Sequence, residues 1–284
     1  MSDENKIRDA ADAIKGIVEA VPVYQDAAQP AVKELGAALQ TVAKTVRIAL
    51  APLDALVWGY DRIKDYLHET LTEKLKRVPE ERIIAPNPTI AGPTVESLRF
   101  VAHEPTLREL YANLLATSMD ASTAHNAHPA FVEIIRQLSP DEARIMECLA
   151  SATALPMITV GRGFMSFGKY DSPIYDERLK YFSSLNQLCA FTDLILVYLT
   201  NLARLGLVEV KENYPLAGEN LYSPLENDPQ VKELIIELEK RSLSEAQFSP
   251  YRSMDPLTRK DALLLTPLGS QFCRVCLSNT HHEV

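Results

Sequence analysis

Hydrophobic residues recur every three or four positions along most of this chain, which is the spacing that puts them on one face of an α-helix. The pattern is sustained over residues 31–77, where charged residues fill the intervening positions and Pro52 must kink or divide the helix. Shorter stretches with the same spacing predict helices over residues 96–102, 105–119 and 129–138. The chain is therefore predicted to be mostly helical.

One helix start is marked more strongly than the others. Ser139, Pro140 and Glu142 belong to the sequence SPDE. Ser139 can accept a hydrogen bond from an amide of the first turn, Pro140 suits the first helical position, and Glu142 can bond back to the amide of Ser139. These residues predict a capping box and a helix over residues 140–151.

The pattern changes after that helix. A short apolar run over residues 157–160 and a glycine-containing loop precede helical material over residues 176–203. Gly206 then predicts the end of a helix, because glycine readily takes the left-handed conformation that closes one. Two strand-like runs follow, at residues 207–211 and 262–266.

The order of these elements, which is helix, helix, strand, strand and helix, resembles a winged helix-turn-helix domain. Residues 207–211 and 262–266 would be the two wing strands, and the last helix follows Pro267. The long insertion between the strands holds one acidic amphipathic helix, VKELIIELEKR. We therefore expect the C-terminal part to be a winged-helix-like domain with this insertion.

The organisation of the chain follows from prolines and helix starts. Residues 78–93 contain four prolines, which disfavour helix and mark a boundary. We predict a helical N-terminal region at residues 1–80, a proline-bearing connector with a helical segment at 81–138, and the winged-helix-like domain at 139–284. The predicted fold class is mostly α, of the α+β type.

Composition narrows the classes of function. The 284 residues carry a net charge of −9, and each of the three predicted regions has more acidic than basic residues. Phosphate polymers and anionic lipid surfaces would repel such a chain overall. Four scattered cysteines and a polar, acidic start without an apolar signal segment indicate a reducing cytoplasm. The longest uncharged run has 14 residues, fewer than a membrane-spanning helix needs.

Three sequence blocks carry a resemblance to a known family. IAGPTVESLRF, LRELYANLLATSMD and HPAFVEIIRQLSPDEA, within residues 90–143, resemble the abortive-infection alpha family of bacterial proteins. The similarity extends over most of residues 20–280. The resemblance implies a role in phage defence in which the infected cell is sacrificed or arrested. It supplies no active site, so we expect a protein without catalysis or cofactor that works through a protein partner or as a homo-oligomer.

A DNA-binding regulator is the first alternative. A winged helix reads DNA with the start of its recognition helix, here near residues 192–205, and with basic residues on helix and wing. The available basic residues are Arg204, Lys211, Arg259 and Lys260. The first turn of the helix offers one acidic and two aliphatic residues, which are poor readers of bases. DNA is therefore a possible partner that the sequence does not favour.

A membrane-active effector is the second alternative. Residues 31–59 are rich in alanine, valine and leucine, and Trp58 and Tyr60 at their end are residue types found at membrane interfaces. Pro52 and Asp54 interrupt the apolar stretch, which favours a buried helical hairpin over insertion. A membrane surface is thus a second partner that the sequence permits without favouring.

Metal and redox chemistry have weaker signals. Cys273 and Cys276 form a C-x-x-C pair on the last predicted helix, and His125 and His128 lie in a polar turn. A structural zinc site needs four ligands, and neither pair has the partner motif that would complete one. We therefore predict no metal site, no cofactor site and no catalytic residues.

Overall fold

The computed structural model describes residues 59–166, 169–170, 176–218, 220–246 and 253–277. Contacts between backbone positions divide the chain into Met1–Val57 and Trp58–Val284, and the first of these units lies outside the described residues. The helix and kink predicted around Pro52 therefore fall outside the part that the structure describes. The described residues all belong to the second unit.

Five helices precede the sheet. They are α1 (Tyr60–Leu75), α2 (Pro88–Val101), α3 (Pro105–Met119), α4 (Ala130–Arg136) and α5 (Pro140–Ala152). The helices α2, α3 and α5 each begin with a proline, whose missing amide is not needed at the first position of a helix. The predicted capping box of α5 is confirmed, because the Ser139 and Glu142 side chains each accept from the other's backbone amide.

The proline-rich connector is shorter than predicted. Helix α2 begins at Pro88 and continues through Pro93, which the sequence placed in the non-helical stretch. A proline in a helix removes one hydrogen-bond donor. The buried side chains of Ile90 and Leu98, on either side of Pro93, attach α2 to the core and outweigh that loss.

A five-stranded antiparallel sheet follows the helices. Its strands are β1 (Ala154–Ser166), β2 (Lys169–Tyr170), β3 (Asp176–Phe182), β4 (Val208–Lys211) and β5 (Ser253–Leu265). The strand order is β2-β1-β5-β4, and β3 also pairs with β1. The two predicted wing strands do pair, with Val208 opposite Leu265 and Lys211 opposite Ala262.

Two predictions for this region are wrong. The expected glycine-containing loop is in part the continuation of β1, which runs to Ser166, and the helical material expected from residue 176 is strand β3 up to Phe182. The charged sequence of β3 carries no strand signal of its own. β3 forms because it pairs with β1, for example with Val160 opposite Leu179, although its own residues have low strand propensity.

The remaining helices are α6 (Leu185–Leu188), α7 (Ile195–Arg204), α8 (Ser223–Glu226), α9 (Pro229–Ala246) and α10 (Pro267–Phe272). A 3₁₀ turn at Thr192–Leu194 leads directly into α7, and a π-helix at Cys273–Leu277 continues α10. Helix α9 is the amphipathic helix predicted within the insertion between β4 and β5. The protein is thus mostly helical with one antiparallel sheet, as the sequence predicts.

The sheet is covered on both faces. Leu155 and Met157 of β1 belong to a large core formed with the helices, whereas Ile158 and Val160 belong to a second core under α8 and α9. Side chains alternate between the faces of a strand, so β1 contributes to both cores. The large core extends from Ile63 of α1 to the C-terminal π-helix and is continuous across residue 139.

Two glycines allow α10 to pack against the start of β4. Gly206 has a φ of 74° and ends α7, which confirms its prediction as a helix end. Thr266 caps α10 by accepting from the amide of Gly269 at 2.9 Å. A Cβ atom at Gly269 would lie 1.9 Å from the carbonyl oxygen of Leu207, so only glycine fits there.

We predict that Gly269→Ala lowers the free energy of unfolding by at least about 3 kcal/mol, because backbone rather than a flexible side chain occupies the space. Ser270→Ala in the same helix is the control, with an expected change within about 0.5 kcal/mol. Urea unfolding at equilibrium measures both. A Gly269→Ala variant as stable as the control would contradict the close approach of α10 to Leu207.

Candidate functional site

Helix α7 is strongly two-sided, and its outer side is the most distinctive surface of the second unit. Ile195, Tyr198, Leu199 and Leu202 are buried in the large core. On the other side Val197 is 60% exposed. A helix that only completes the core would present polar residues to solvent, so this exposed apolar side needs another explanation.

The apolar surface extends beyond α7 itself. Five large apolar side chains between residues 188 and 197 are exposed: Leu188, Phe191, Leu194, Leu196 and Val197. We call this set the α7 face. Single exposed apolar side chains are common on soluble proteins, but five within ten consecutive residues are an unusual concentration.

Asp141, in the first turn of α5, holds the segment that leads into α7. Its buried carboxylate accepts from the backbone amides of Ala190 and Phe191 at 3.0 and 3.1 Å and from the Tyr198 hydroxyl at 3.2 Å. It also forms an ion pair with Arg144. Burial alone would raise the pKa of Asp141, but these hydrogen bonds outweigh burial and hold the pKa below its ordinary value.

Glu142 makes a second connection from α5 to α7. One carboxylate oxygen accepts from the amide of Ser139 in the capping box, and the other accepts from the side-chain amide of Asn201 at 2.7 Å. Asn201 also donates to the carbonyl of Gln137 at 3.1 Å. The sequence identified Asp141 and Glu142 only as first-turn residues, and their partners lie 49 to 59 residues further along the chain.

Arg204, predicted as a DNA contact, lies exposed at the end of α7. Its guanidinium donates to the side-chain oxygens of Asn201 and Gln137, at 2.7 and 2.9 Å for the same nitrogen. Both acceptors are neutral amides, so Arg204 keeps its full positive charge. It is the one predicted DNA contact for which the described residues provide no carboxylate partner.

Lys211 and Lys260, two further predicted DNA contacts, have acidic partners. Lys211 lies 3.1 Å from the carboxylate of Glu209, and Lys260 lies 2.9 Å from that of Glu226. Both ammonium groups are more than a third exposed, so the pairs are weak. Each pair nevertheless reduces the charge available to a phosphate.

Arg259, the fourth predicted DNA contact, faces three carboxylates. Its guanidinium lies 2.7 Å from Asp261, 3.1 Å from Glu177 and 3.3 Å from Glu212, and its side chain is only 11% exposed. An arginine enclosed in this way cannot reach a DNA backbone without breaking these ion pairs. The sequence could not reveal them, because Glu177 is 82 residues away.

Asp261 is a fully buried carboxylate in β5 that the sequence analysis missed. Besides Arg259 it accepts from the Thr159 hydroxyl at 2.6 Å and from the amide of Asn213 at 2.8 Å. Asn213 and Tyr181 have φ values of 51° and 56°, and Tyr181 lies in a β-bulge opposite Thr159. The one sequence signal was an acidic residue at the start of an apolar run.

Hydrogen bonds and ion pairs shift the pKa values of three groups near this carboxylate. Burial and a hydrogen bond to Glu212 raise the pKa of Tyr181 to about 12. The hydrogen bond from Tyr181 lowers the pKa of Glu212 despite burial, and ion pairing with Glu177 raises the pKa of Lys180. Each group therefore keeps one protonation state over the physiological range.

The cysteine and histidine candidates can be placed as well. Burial raises the pKa of the Cys273 thiol to about 12 and raises that of Cys276, so both thiols are protonated at neutral pH. His125 lies in a 3₁₀ turn, and His128 accepts from the amide of Ala130. Within the described ranges, no group of three or more His, Cys, Asp or Glu side chains is placed to hold a metal ion.

The membrane hypothesis rests on residues outside the description. Trp58 and nearly all of residues 31–59 are not described, and Tyr60 is described only as the first backbone position of α1. Among the helices that the structure does describe, none is long and apolar enough to cross a bilayer.

The fold and its surface define a mostly helical α+β protein with an exposed apolar helix face. The family model for abortive infection alpha matches residues 59–276, which is most of the chain. The chain therefore belongs to the abortive infection alpha family, as the resemblance at residues 90–143 implied.

Comparison with individual proteins adds little to this assignment. No curated protein matches the chain. A solved structure of an uncharacterized protein from the marine bacterium Alcanivorax borkumensis SK2 is similar at 20% sequence identity, over 56% of this chain and 96% of that one. The TM-score of 0.30 is too low to support any argument from that structure.

We predict that Asp141→Asn destabilises the protein by about 3 kcal/mol at pH 7, because a buried, charge-assisted set of hydrogen bonds is lost. The folded-state pKa of Asp141 lies below its ordinary value of 3.8. The extra stability of wild type over Asp141→Asn is therefore complete above pH 3.8. It disappears as the pH falls through the folded-state pKa.

Denaturant unfolding of both proteins at a series of pH values measures this difference. Asp61→Asn, in the exposed first turn of α1, is the control and should change stability by less than about 0.5 kcal/mol. A difference between wild type and Asp141→Asn that stays constant down to strongly acidic pH would show that the carboxylate charge has no such role.

Proposed function

We propose that this protein is an antiphage defence protein of the abortive-infection type that acts without catalysis, through protein–protein contacts made by the α7 face. Membership of the family supports the biological role. The observation that supports the mode of action is the exposure of Leu196 and Val197, at 44% and 60%, on a helix whose opposite side is anchored in the core.

The position of α7 supports this interpretation. The winged helix-turn-helix proposed from the sequence has helices at residues 140–151 and 176–203, and α7 lies in the second of these. Its wing strands at residues 207–211 and 262–266 correspond to β4 and β5, which pair. In that arrangement α7 is the recognition helix. A DNA-binding protein would present arginine, lysine, asparagine or glutamine there, because these side chains bond to base edges. This helix instead presents leucine and valine, which suit a protein surface.

The charges of the chain also favour protein contacts over DNA binding. The chain has a net charge of −9, and Lys211, Arg259 and Lys260 all have carboxylate partners. Binding to DNA gains most of its affinity from releasing the counterions of phosphates, which requires free basic groups. Protein contacts through an apolar surface have no such requirement.

A phage challenge tests the proposal. Phages should form fewer plaques on bacteria that express the protein. Cultures of these bacteria should survive at low phage multiplicity and collapse at high multiplicity. We predict that Val197→Asp abolishes this protection, because a charge in the middle of the α7 face opposes its burial against a partner. Thermal unfolding should be nearly unchanged, since Val197 is already exposed.

The matched control is Leu243→Asp, which places the same charge on α9 at a side chain that is 71% exposed. This variant should protect as well as wild type. Full protection by Val197→Asp would remove the α7 face from the mechanism. Absence of protection by wild type against a broad panel of phages would overturn the defence role itself.

A DNA-binding regulator would behave differently in a gel-shift assay. It would shift duplex DNA in a salt-dependent manner and would lose the shift in the double variant Arg204→Glu and Lys260→Glu. We expect no shift at low salt. A salt-dependent shift that is lost in the double variant would indicate DNA binding, and not protein contacts, as the mode of action.

A further inference from the structure

Four exposed residues form a straight line along α7 and the turn before it. Asp193, Val197, Thr200 and Arg204 are spaced by four, three and four positions. At 100° per residue this spacing keeps the side chains of Val197, Thr200 and Arg204 within about 60° of one another around the axis of α7, and Asp193 precedes them in the 3₁₀ turn Thr192–Leu194. All four are exposed, and we call this line the α7 stripe.

The two ends of the α7 stripe carry opposite charges, and neither charge is paired with an opposite charge among the residues that the structure describes. Arg204 bonds only to neutral amide oxygens. Asp193 has neither an ion pair nor a side-chain hydrogen bond with any residue that the structure describes. This contrasts with Lys211, Arg259 and Lys260, whose charges are paired.

The two central residues of the stripe, Val197 and Thr200, present apolar groups. Val197 exposes its methyl groups, and the Thr200 hydroxyl donates to the carbonyl of Leu196 at 2.7 Å. The hydroxyl is therefore satisfied within the helix, and the methyl group of Thr200 remains for contact. Leu196 extends the apolar surface on one flank.

The stripe is self-complementary. Its members are placed symmetrically about the midpoint between residues 198 and 199. If a second copy of the chain lies antiparallel across it, Asp193 faces Arg204 of the second copy at both ends, and Val197 faces Thr200. A closed dimer requires this kind of match, in which one surface recognises itself.

We propose that the α7 stripe is a homodimer interface, in which two copies pack α7 against α7 antiparallel about a twofold axis near residues 198 and 199. This deepens the proposed function and rests on its assignment of the α7 face as the contact surface. The partner is a second copy of this chain, since the acid at one end of the stripe and the base at the other complement each other across a twofold axis.

The surface is rigid before the second copy binds. The backbone at Phe191 is held by Asp141, and Asn201 is held by Glu142, so association orders few additional groups. A stable interface buries about 800 Å² per partner, and a helix of ten residues is about 15 Å long. The stripe alone is too small, so Phe191 and Leu194 must contribute, and the dimer should dissociate on dilution.

Charge reversal tests this arrangement directly. Sedimentation velocity of the full chain over a range of concentrations should show a monomer–dimer equilibrium. Asp193→Arg and Arg204→Asp should each weaken the dimer at least about tenfold, because like charges then face each other at both ends. The double variant should restore the affinity to within about threefold of wild type, because the opposite charges are again paired.

The control is Lys240→Asp, which reverses an exposed charge on α9 and should leave the equilibrium unchanged. Thermal unfolding of every variant shows whether each one folds. A wild-type protein that is monomeric at all concentrations overturns the dimer, and so do single variants without effect. A double variant no better than the single ones overturns the antiparallel register.

The outcome is separable from that of the proposed function. A monomeric wild type whose phage protection is still lost on Val197→Asp would assign the α7 face to a different protein. A dimer that responds to charge reversal as expected, in cells that gain no protection, would leave the interface intact and remove the defence role.

Discussion

The buried carboxylate of Asp141 is the interaction on which the proposed contact surface depends. It accepts hydrogen bonds from the amides of Ala190 and Phe191 at the point where the chain turns into α7, and from the hydroxyl of Tyr198 on that helix. A buried charge is stable only when it is paired and hydrogen-bonded, and here Arg144 and these three donors satisfy it. Helix α5 thereby fixes both the position and the rotation of α7, and the rotation decides which side chains are buried and which face solvent.

A second buried carboxylate has the same effect on the sheet. Asp261 in β5 binds Thr159 in β1, the amide of Asn213 after β4, and Arg259 in its own strand. It thus joins three strands at one point and draws Arg259 away from solvent. Both carboxylates favour the proposed function: one presents an apolar helix face, and the other removes a basic group that DNA binding would require.

The sequence predicted those features whose causes are local. The capping box at Ser139 and the helix end at Gly206 are confirmed. The pairing of residues 207–211 with 262–266 is confirmed as well, although it is not local, because each strand carries its own apolar signal. It failed where distant contacts decide, as for strand β3, which forms because β1 pairs with it, and for Pro93, which the packing of its neighbours keeps within α2. The sequence marked the first turn of the expected recognition helix, residues 193–195, as a poor reader of DNA, although Ile195 in that turn is buried. It did not single out the exposed Leu196 and Val197. That they form a surface of their own could not be seen, because the partners of Asp141 are about 50 residues away.

Hydrogen–deuterium exchange of the purified full chain at low and high protein concentration tests the central claim most directly, namely that the α7 face is the contact surface of this protein. If two copies meet there, amides of residues 191–204 exchange more slowly at high concentration. Those of α9, which also exposes apolar side chains at Ile236 and Leu243, exchange at the same rate at both concentrations. Equal exchange of residues 191–204 at all concentrations, or protection that appears on α9 instead, would contradict the account.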